Sequence, residues 1–309
     1  MHPLICSDGS EWAQKSARFA LQLFRGTSNE ITVLVFKQRP RALDAEQQAM
    51  VQGAREKGDN LGAARAADEI DRELHVLVKE ILGDDSAVHW KQADGNMAEH
   101  LLGVANDYDI ICLGGVGKGG FSRNLMGVFV DELVLKGTGN LLVTKTSDAL
   151  CHNVLLALPP EDADDKNMAH YLGQLFEGSG VNITINIMWS DLPHRFEGYM
   201  EASMGQRVKR MVDEDLFPDK RRRLGHITGI LNDYGLTSKA AFKDYGSMSD
   251  LVDAAEPNSY DLIIVRPPAA GDGFLQQLEP NKQSLNLMRK SASNVMLLRD
   301  VPVDKKRDA

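Results

Sequence analysis

Apolar positions along this chain fall into two kinds of short block, and the blocks alternate. The first kind is a brief run of apolar and β-branched residues: Leu4–Ser7, Glu30–Phe36, Ala87–Lys91, Asp109–Leu113 and Asn140–Thr144. Such runs read as strands, the most apolar of them covered on both faces. The second kind repeats with helical spacing. Ala13, Ala17, Ala20, Leu21 and Phe24 form one apolar face behind Asp8-Gly9-Ser10, where Ser10 or Asp8 supplies the cap. Ile70, Leu74, Leu77, Val78 and Ile81 form another, within a charge-rich helical stretch over 45–82. Gly53, Gly58 and Gly62 weaken the first part of that stretch. Further helices are predicted over Met97–Ala105, capped by Asp94 or Asn96, and over Leu125–Lys136. Strands alternating with helices predict an α/β fold with a parallel, doubly wound sheet. Ligands of such sheets lie beyond the carboxyl ends of the strands, which is where Asp8, Phe36 and a glycine-rich turn after Leu113 fall.

The pattern then repeats. Gln22, Leu23, Phe24, Gly26, Ile31 and Thr32 return 152 positions later as Gln174, Leu175, Phe176, Gly178, Ile183 and Thr184. Tyr108-Asp109 returns at the same offset as Tyr260-Asp261, and Asn140-Leu141-Leu142-Val143 resembles Asn294-Val295-Met296-Leu297 at an offset of 154. A register held over that distance indicates duplication. Two domains are expected, 1–148 and 149–309, with almost no linker, so that they pack together rather than swing. The second copy has lost the glycines. At an offset of 152, Asp8 becomes Pro160, Gly114 becomes Arg266, Gly117 becomes Ala269 and Gly127 becomes Glu279. Its fourth strand ends in Arg266-Pro267-Pro268, and proline offers no N–H to a phosphate. One competent site per chain is the expectation.

That site centres on the stretch from Tyr108 to Val128, YDIICLGGVGKGGFSRNLMGV, with glycine at 114, 115, 117, 119 and 120. Glycine lets backbone N–H groups approach an anion, and the helix beginning near Leu125 adds a partial positive charge. A tight connection between strand and helix is the competing explanation. Gly114, Gly117 and Gly127 are spaced as Gly, two residues, Gly, nine residues, Gly. With the N-terminal Asp8-Gly9-Ser10, this spacing makes the chain resemble a tandem member of the universal stress protein family. The resemblance implies, for each domain, a five-stranded parallel sheet of order 3-2-1-4-5 with helices on both faces. It implies ATP, with Mg2+, in the N-terminal domain: Asp8 and the backbone near Phe36 at the nucleoside, Gly114, Gly117 and Gly127 around the phosphates. It also implies a pseudo-dimer of the two domains through Asn140–Thr144 and Val295–Leu298, and allows a further homodimer. One position departs from the family. Val128 stands where a Ser or Thr would donate to a phosphate oxygen. Loss of that bond costs about 0.5–1.5 kcal/mol, a several-fold to tenfold weakening. Lys118, Ser122 and Arg123 in the same loop are candidate compensators.

Other readings are narrower. Gly115, Gly117 and Gly120 satisfy the dinucleotide pattern G-x-G-x-x-G, but after the fourth strand rather than the first. Asp131 and Glu132, about where an acidic ribose ligand is needed, fall inside a predicted helix. A net charge of −9 argues against a nucleic-acid or acidic-membrane binder. No apolar run reaches the roughly 18 residues of a membrane span, and the N-terminus lacks the features of a signal peptide. Three cysteines make no disulfide framework, and Cys6 and Cys112 lie in strands, as buried reduced thiols of a cytoplasmic protein would. The histidines and cysteines have no zinc or nucleophile spacing, so no catalytic residue and no metal ligand is assigned. His89 reads as a packed or surface side chain. Lys220-Arg221-Arg222-Arg223 reads as a solvated basic segment rather than a nucleic-acid site. The expected function is regulatory binding of an adenine nucleotide in a stress response, with an unidentified protein partner. The alternatives are a ligand-free interaction module, in which the glycine loop is structural, and a slow ATPase.

Overall fold

A computed structural model describes residues 1–27, 30–37, 67–84, 87–94, 97–115, 125–145, 150–159, 164–187, 218–240, 260–267 and 274–301. The first half supplies β1 (Pro3–Ser7), β2 (Ile31–Lys37), β3 (Val88–Asp94), β4 (Ile110–Gly114) and β5 (Leu141–Thr144). The second supplies β6 (Asn153–Leu158), β7 (Asn182–Ile187), β8 (Thr237–Ala240), β9 (Leu262–Val265) and β10 (Asn294–Leu297). They form one sheet in the order β3-β2-β1-β4-β5-β10-β9-β6-β7-β8. Each half has the order 3-2-1-4-5 with parallel neighbours, and the halves meet where β10 pairs antiparallel with β5, Val295 opposite Val143 and Leu297 opposite Leu141. The fold is therefore two tandem doubly wound α/β units. The proposed boundary at 148/149 lies outside the described residues.

Consecutive apolar residues in the central strands follow from coverage on both faces. Helices α1 (Glu11–Phe24), α2 (Ala67–Leu82), α5 (Asp165–Phe176) and α6 (Pro218–Asp233) cover one face. Helices α3 (Met97–Val104), α4 (Leu125–Lys136) and α7 (Phe274–Lys290) cover the other. Ile5, Val33, Cys112, Leu156 and Ile264 point into the first layer, and Leu4, Cys6, Leu34, Leu113 and Val265 into the second. Each layer runs without interruption through both halves. The expected close packing of the two copies is thus a shared core rather than a contact between closed surfaces. No helix among the described residues is long and apolar enough to cross a membrane.

Strand ends differ from the sequence expectations in informative ways. β3 continues to Asp94, so Asp94 is a strand residue and not the cap of α3; Asn96 lies outside the described residues. β4 begins one residue later than expected because Asp109 has another task. Its Oδ2 accepts from the His2 amide at 2.6 Å, and its own amide donates to the His2 carbonyl at 3.0 Å. Asp261 does the same for β6, accepting from the His152 and Asn153 amides, each at 2.8 Å. The duplicated Tyr-Asp pair therefore ties the entry of each fourth strand to the start of each first strand.

The seam between halves has its own approximate symmetry at the 154-residue offset. Asn140 Oδ1 accepts from the Arg299 amide at 2.8 Å, and Asn294 Oδ1 accepts from the Lys145 amide at 2.7 Å. Lys145 Nζ donates to the Ser291 carbonyl, just past α7, at 2.6 Å. Arg299 donates to the Gly139 carbonyl at 3.0 Å and to the Val134 carbonyl near the end of α4. Each half thus lends a cation to the negative end of the other half's helix.

Candidate functional site

In the first half, the strand order reverses between β1 and β4, which is where ligands of open α/β sheets bind. Parallel register brings Ser7 level with Val35, so Asp8, just past β1, lies beside Phe36 near the end of β2. The β1–β4 register of Ile5 with Cys112, continued two steps, brings Ser7 level with Gly114. Three candidate residues therefore lie along one edge, on adjacent strand ends. The turn between β1 and α1 is held by its own side chains. Asp8 Oδ1 accepts from the Ser10 amide at 3.0 Å, and Ser10 Oγ accepts from the Ala13 amide at 3.1 Å. Ser10 is the cap of α1, and Asp8 shapes the approach to it. Gly9 has a φ of +78°, and a Cβ there would meet Ile70 Cδ1 at 2.3 Å.

Phe36 is 3% exposed and packs edge-on to His100, with ring centroids 5.6 Å apart. Its side chain belongs to the core, which leaves only its backbone for a ligand. A Cβ on Gly114 would sit 2.7 Å from the Trp12 carbonyl oxygen. One on Gly115 would sit 2.7 Å from Val143 Cγ1 and 3.0 Å from the Thr144 carbonyl oxygen, to which the Gly115 amide donates at 2.6 Å. Close backbone approach to α1 and β5 is thus a sufficient reason for both glycines. Gly117 lies outside the described residues, as do Lys118, Ser122 and Arg123. Gly127 and Val128 fall in the first turn of α4, where backbone N–H groups have no partner within the helix.

Trp12, whose carbonyl abuts Gly114, was not singled out from the sequence, nor was Lys145. Lys145 follows β5 directly, and its Cγ lies 3.2 Å from where a Gly115 Cβ would be. Its amine meets the Ser291 carbonyl but, among the described residues, no carboxylate. Burial pulls that amine from the ordinary 10.5 down to about 8. Between about pH 8 and 10.5 the folded chain then binds fewer protons than the unfolded chain, so this group makes stability rise with pH there and leaves it flat below. Lys145→Met is expected to abolish that rise. Denaturation midpoints of both proteins, measured across this window, check it.

Cys6 and Cys112 are buried, and burial pushes both thiols well above the usual range. They point into opposite core layers and cannot serve a ligand. Among the described residues, no group of three His, Cys, Asp or Glu side chains could hold a metal ion. His89 is an exposed residue of β3. The basic segment needs a correction. Arg221 and Arg222 are exposed on α6, but Arg223 is half-buried and pairs with Asp165 through both carboxylate oxygens. Helical spacing carried the signal: Arg223 stands four and seven residues before the buried Ile227 and Ile230.

The model of the universal stress protein family matches residues 2–145. Over the whole length, the chain is similar in fold to a universal stress protein from Archaeoglobus fulgidus DSM 4304, at 14% identity and a TM-score of 0.58, covering 97% of this chain and 96% of that one. It is also similar to a functionally unknown protein from Pseudomonas aeruginosa PAO1, at 13% identity and a TM-score of 0.50, covering 96% and 92%. A third similar structure, the universal stress protein from Archaeoglobus fulgidus in complex with dAMP, covers 49% of this chain and 100% of its own at 14% identity and a TM-score of 0.32. No curated protein sequence matches. The first half of the chain thus matches the universal stress protein family by sequence, and over both halves the fold is similar to that of a solved universal stress protein.

Proposed function

We propose that this is a regulatory, cytoplasmic stress-response protein that takes one adenine nucleotide, ATP with Mg2+, in a first domain spanning 1–148. Residues 149–309 form a second domain without the glycine motif. Asp8 and the Phe36 backbone meet the nucleoside; Gly114, Gly117, Gly127 and the amide of Val128 meet the phosphates. What carries the reading is the convergence of Asp8, Phe36 and Gly114 on adjacent strand ends at the switch point of the sheet. N–H groups in the first turn of α4, which have no partner within the helix, are donors that suit an anion. Mg2+ would arrive with the phosphates, since among the described residues no group of three His, Cys, Asp or Glu side chains could hold a metal ion. Mass spectrometry of nucleotide released from the purified, denatured protein tests the reading, with calorimetry against Mg-ATP. No co-purified nucleotide and no heat at millimolar ATP would overturn it.

Val128→Ser restores the hydroxyl at the family position and is expected to tighten ATP binding by up to about tenfold. An unchanged dissociation constant would mean that the phosphates do not meet the start of α4. A ligand-free interaction module is the second reading, and one observation favours it: Gly114 and Gly115 are already required by packing against α1 and β5. The two readings part at Gly127, in the first turn of α4. Gly127→Ala should leave stability nearly unchanged in a ligand-free module but weaken ATP binding if phosphate approaches the backbone there.

A further inference from the structure

At the switch point of the second half, between the ends of β6 and β9, the residues that replace the glycine site form an ionic network. Arg266 follows β9 directly, at the position of Gly114 in the repeat, and is only 9% exposed. Its NH2 donates to Asp164 Oδ2 at 3.3 Å. Asp164 precedes α5 and also accepts from Asn167 Nδ2 at 2.6 Å. Arg223 reaches over from α6. Its NH2 donates to Asp165 Oδ1 at 2.8 Å, its Nε to the other carboxylate oxygen, and its NH1 to the Pro159 carbonyl at 2.8 Å. The Arg223 and Asp165 side chains are 15% and 13% exposed. The ends of β6 and β9, the first turn of α5 and the second turn of α6 are thereby tied to one another.

Among the described residues, these two carboxylates face these two guanidinium groups. The start of α5, where a helix attracts an anion, already carries two carboxylates, and two guanidinium groups neutralise them. A polyphosphate entering here would have to displace both carboxylates or stand against them. The Arg266 side chain also fills space that a glycine would leave open. These ion pairs are partly buried, so removing one member leaves the survivor partly desolvated and unpaired.

We infer that the second half is closed by the chain itself. Arg266 with Asp164, and Arg223 with Asp165, occupy the crevice that corresponds to the first half's phosphate site, hold its strand and helix ends together without a ligand, and exclude polyphosphate. Each chain then takes one nucleotide. Only that last clause rests on the nucleotide reading of the first half.

Peptide-resolved hydrogen exchange on the full-length chain tests this, with inorganic tripolyphosphate and Mg-ATP as probes. In the unaltered protein, exchange over residues 168–172 and 223–227 is expected to be slow and indifferent to both probes. Arg266→Ala is expected to speed exchange over residues 168–172 of α5 by about tenfold or more, with β7 unchanged. Arg223→Lys keeps the charge but loses the paired bonds, and a smaller acceleration at the same residues is expected. The inference is overturned if tripolyphosphate slows exchange at the second crevice of the unaltered protein, or if both variants keep full protection there. If Mg-ATP leaves residues 8–15 and 110–115 unaffected, the nucleotide reading and the one-per-chain clause fall. The exchange of the two arginine variants still decides the closure.

Discussion

Asn140→Ala is expected to lower the thermal midpoint by about 5–10 °C, the equivalent of about 2–4 kcal/mol. The Asn140 side chain is 4% exposed and makes four hydrogen bonds. Its Nδ2 donates to the Asp109 carbonyl at 2.9 Å and the Asp300 carbonyl at 2.6 Å. Its Oδ1 accepts from the Arg299 and Asp300 amides at 2.8 and 3.0 Å. One amide group thus joins the entry of β4, the start of β5 and the exit of β10. Alanine removes all four bonds at once and leaves their partners in a place that water reaches poorly. Asn140→Asp keeps the acceptor but loses the two donors and sets a charge against carbonyl oxygens, so a loss of similar size is expected. Calorimetric melts of the three proteins make the comparison. A shift below about 2 °C for both variants would mean that the seam is held by its apolar layers alone.

Gly114→Val has the second large effect, and it acts on both stability and binding. The added Cβ would lie 2.7 Å from the Trp12 carbonyl oxygen and 2.9 Å from its carbon. These are backbone atoms in the first turn of α1, so no side-chain rotation relieves the contact. Overpacking of this kind costs about 1–3 kcal/mol. Relief requires α1 or the glycine turn to move, and either movement displaces amides from the proposed phosphate site. Loss of one hydrogen bond to a charged phosphate weakens binding by about 10–100-fold. Melting and Mg-ATP calorimetry on one preparation separate the effects. A lowered midpoint with no heat of binding in either protein would favour the ligand-free module.

Much of the fold was legible because the chain writes it twice. The β-branched run of β2 and the helical face from Ala13 to Phe24 are strong periodic signals, and their return near residues 176 and 183 left one topology standing. The seam strands were legible for the same reason: Asn-Leu-Leu-Val and Asn-Val-Met-Leu occupy matching places. What escaped was chemistry that depends on neighbours distant in sequence. Lys145 and Arg299 do equivalent work at the seam and stand 154 positions apart, but they differ in residue type, so the repeat did not mark them. Arg223 was readable from its place on the helical stripe, yet three flanking basic residues made it resemble solvent-facing charge. At Gly114 the sequence signal was ambiguous in kind. A glycine that lets a helix approach and a glycine that lets a phosphate approach are the same letter. The repeat helped most where it failed, because Arg266 in the place of Gly114 pointed to a crevice with different contents.

The antiparallel pairing of β5 with β10 changes how the assembly responds to dilution. Two separate domains joined along these edges would dissociate as their concentration fell. On one chain, the partner edge is always present at a high effective concentration. The join between halves is then a property of each molecule, intact at whatever abundance the cell maintains. Pairing also uses up both edges, which leaves β3 and β8 as the outer strands of the described sheet. Among the described elements, those edges and the helical faces are left for any larger assembly, and that second step is open to control by protein level.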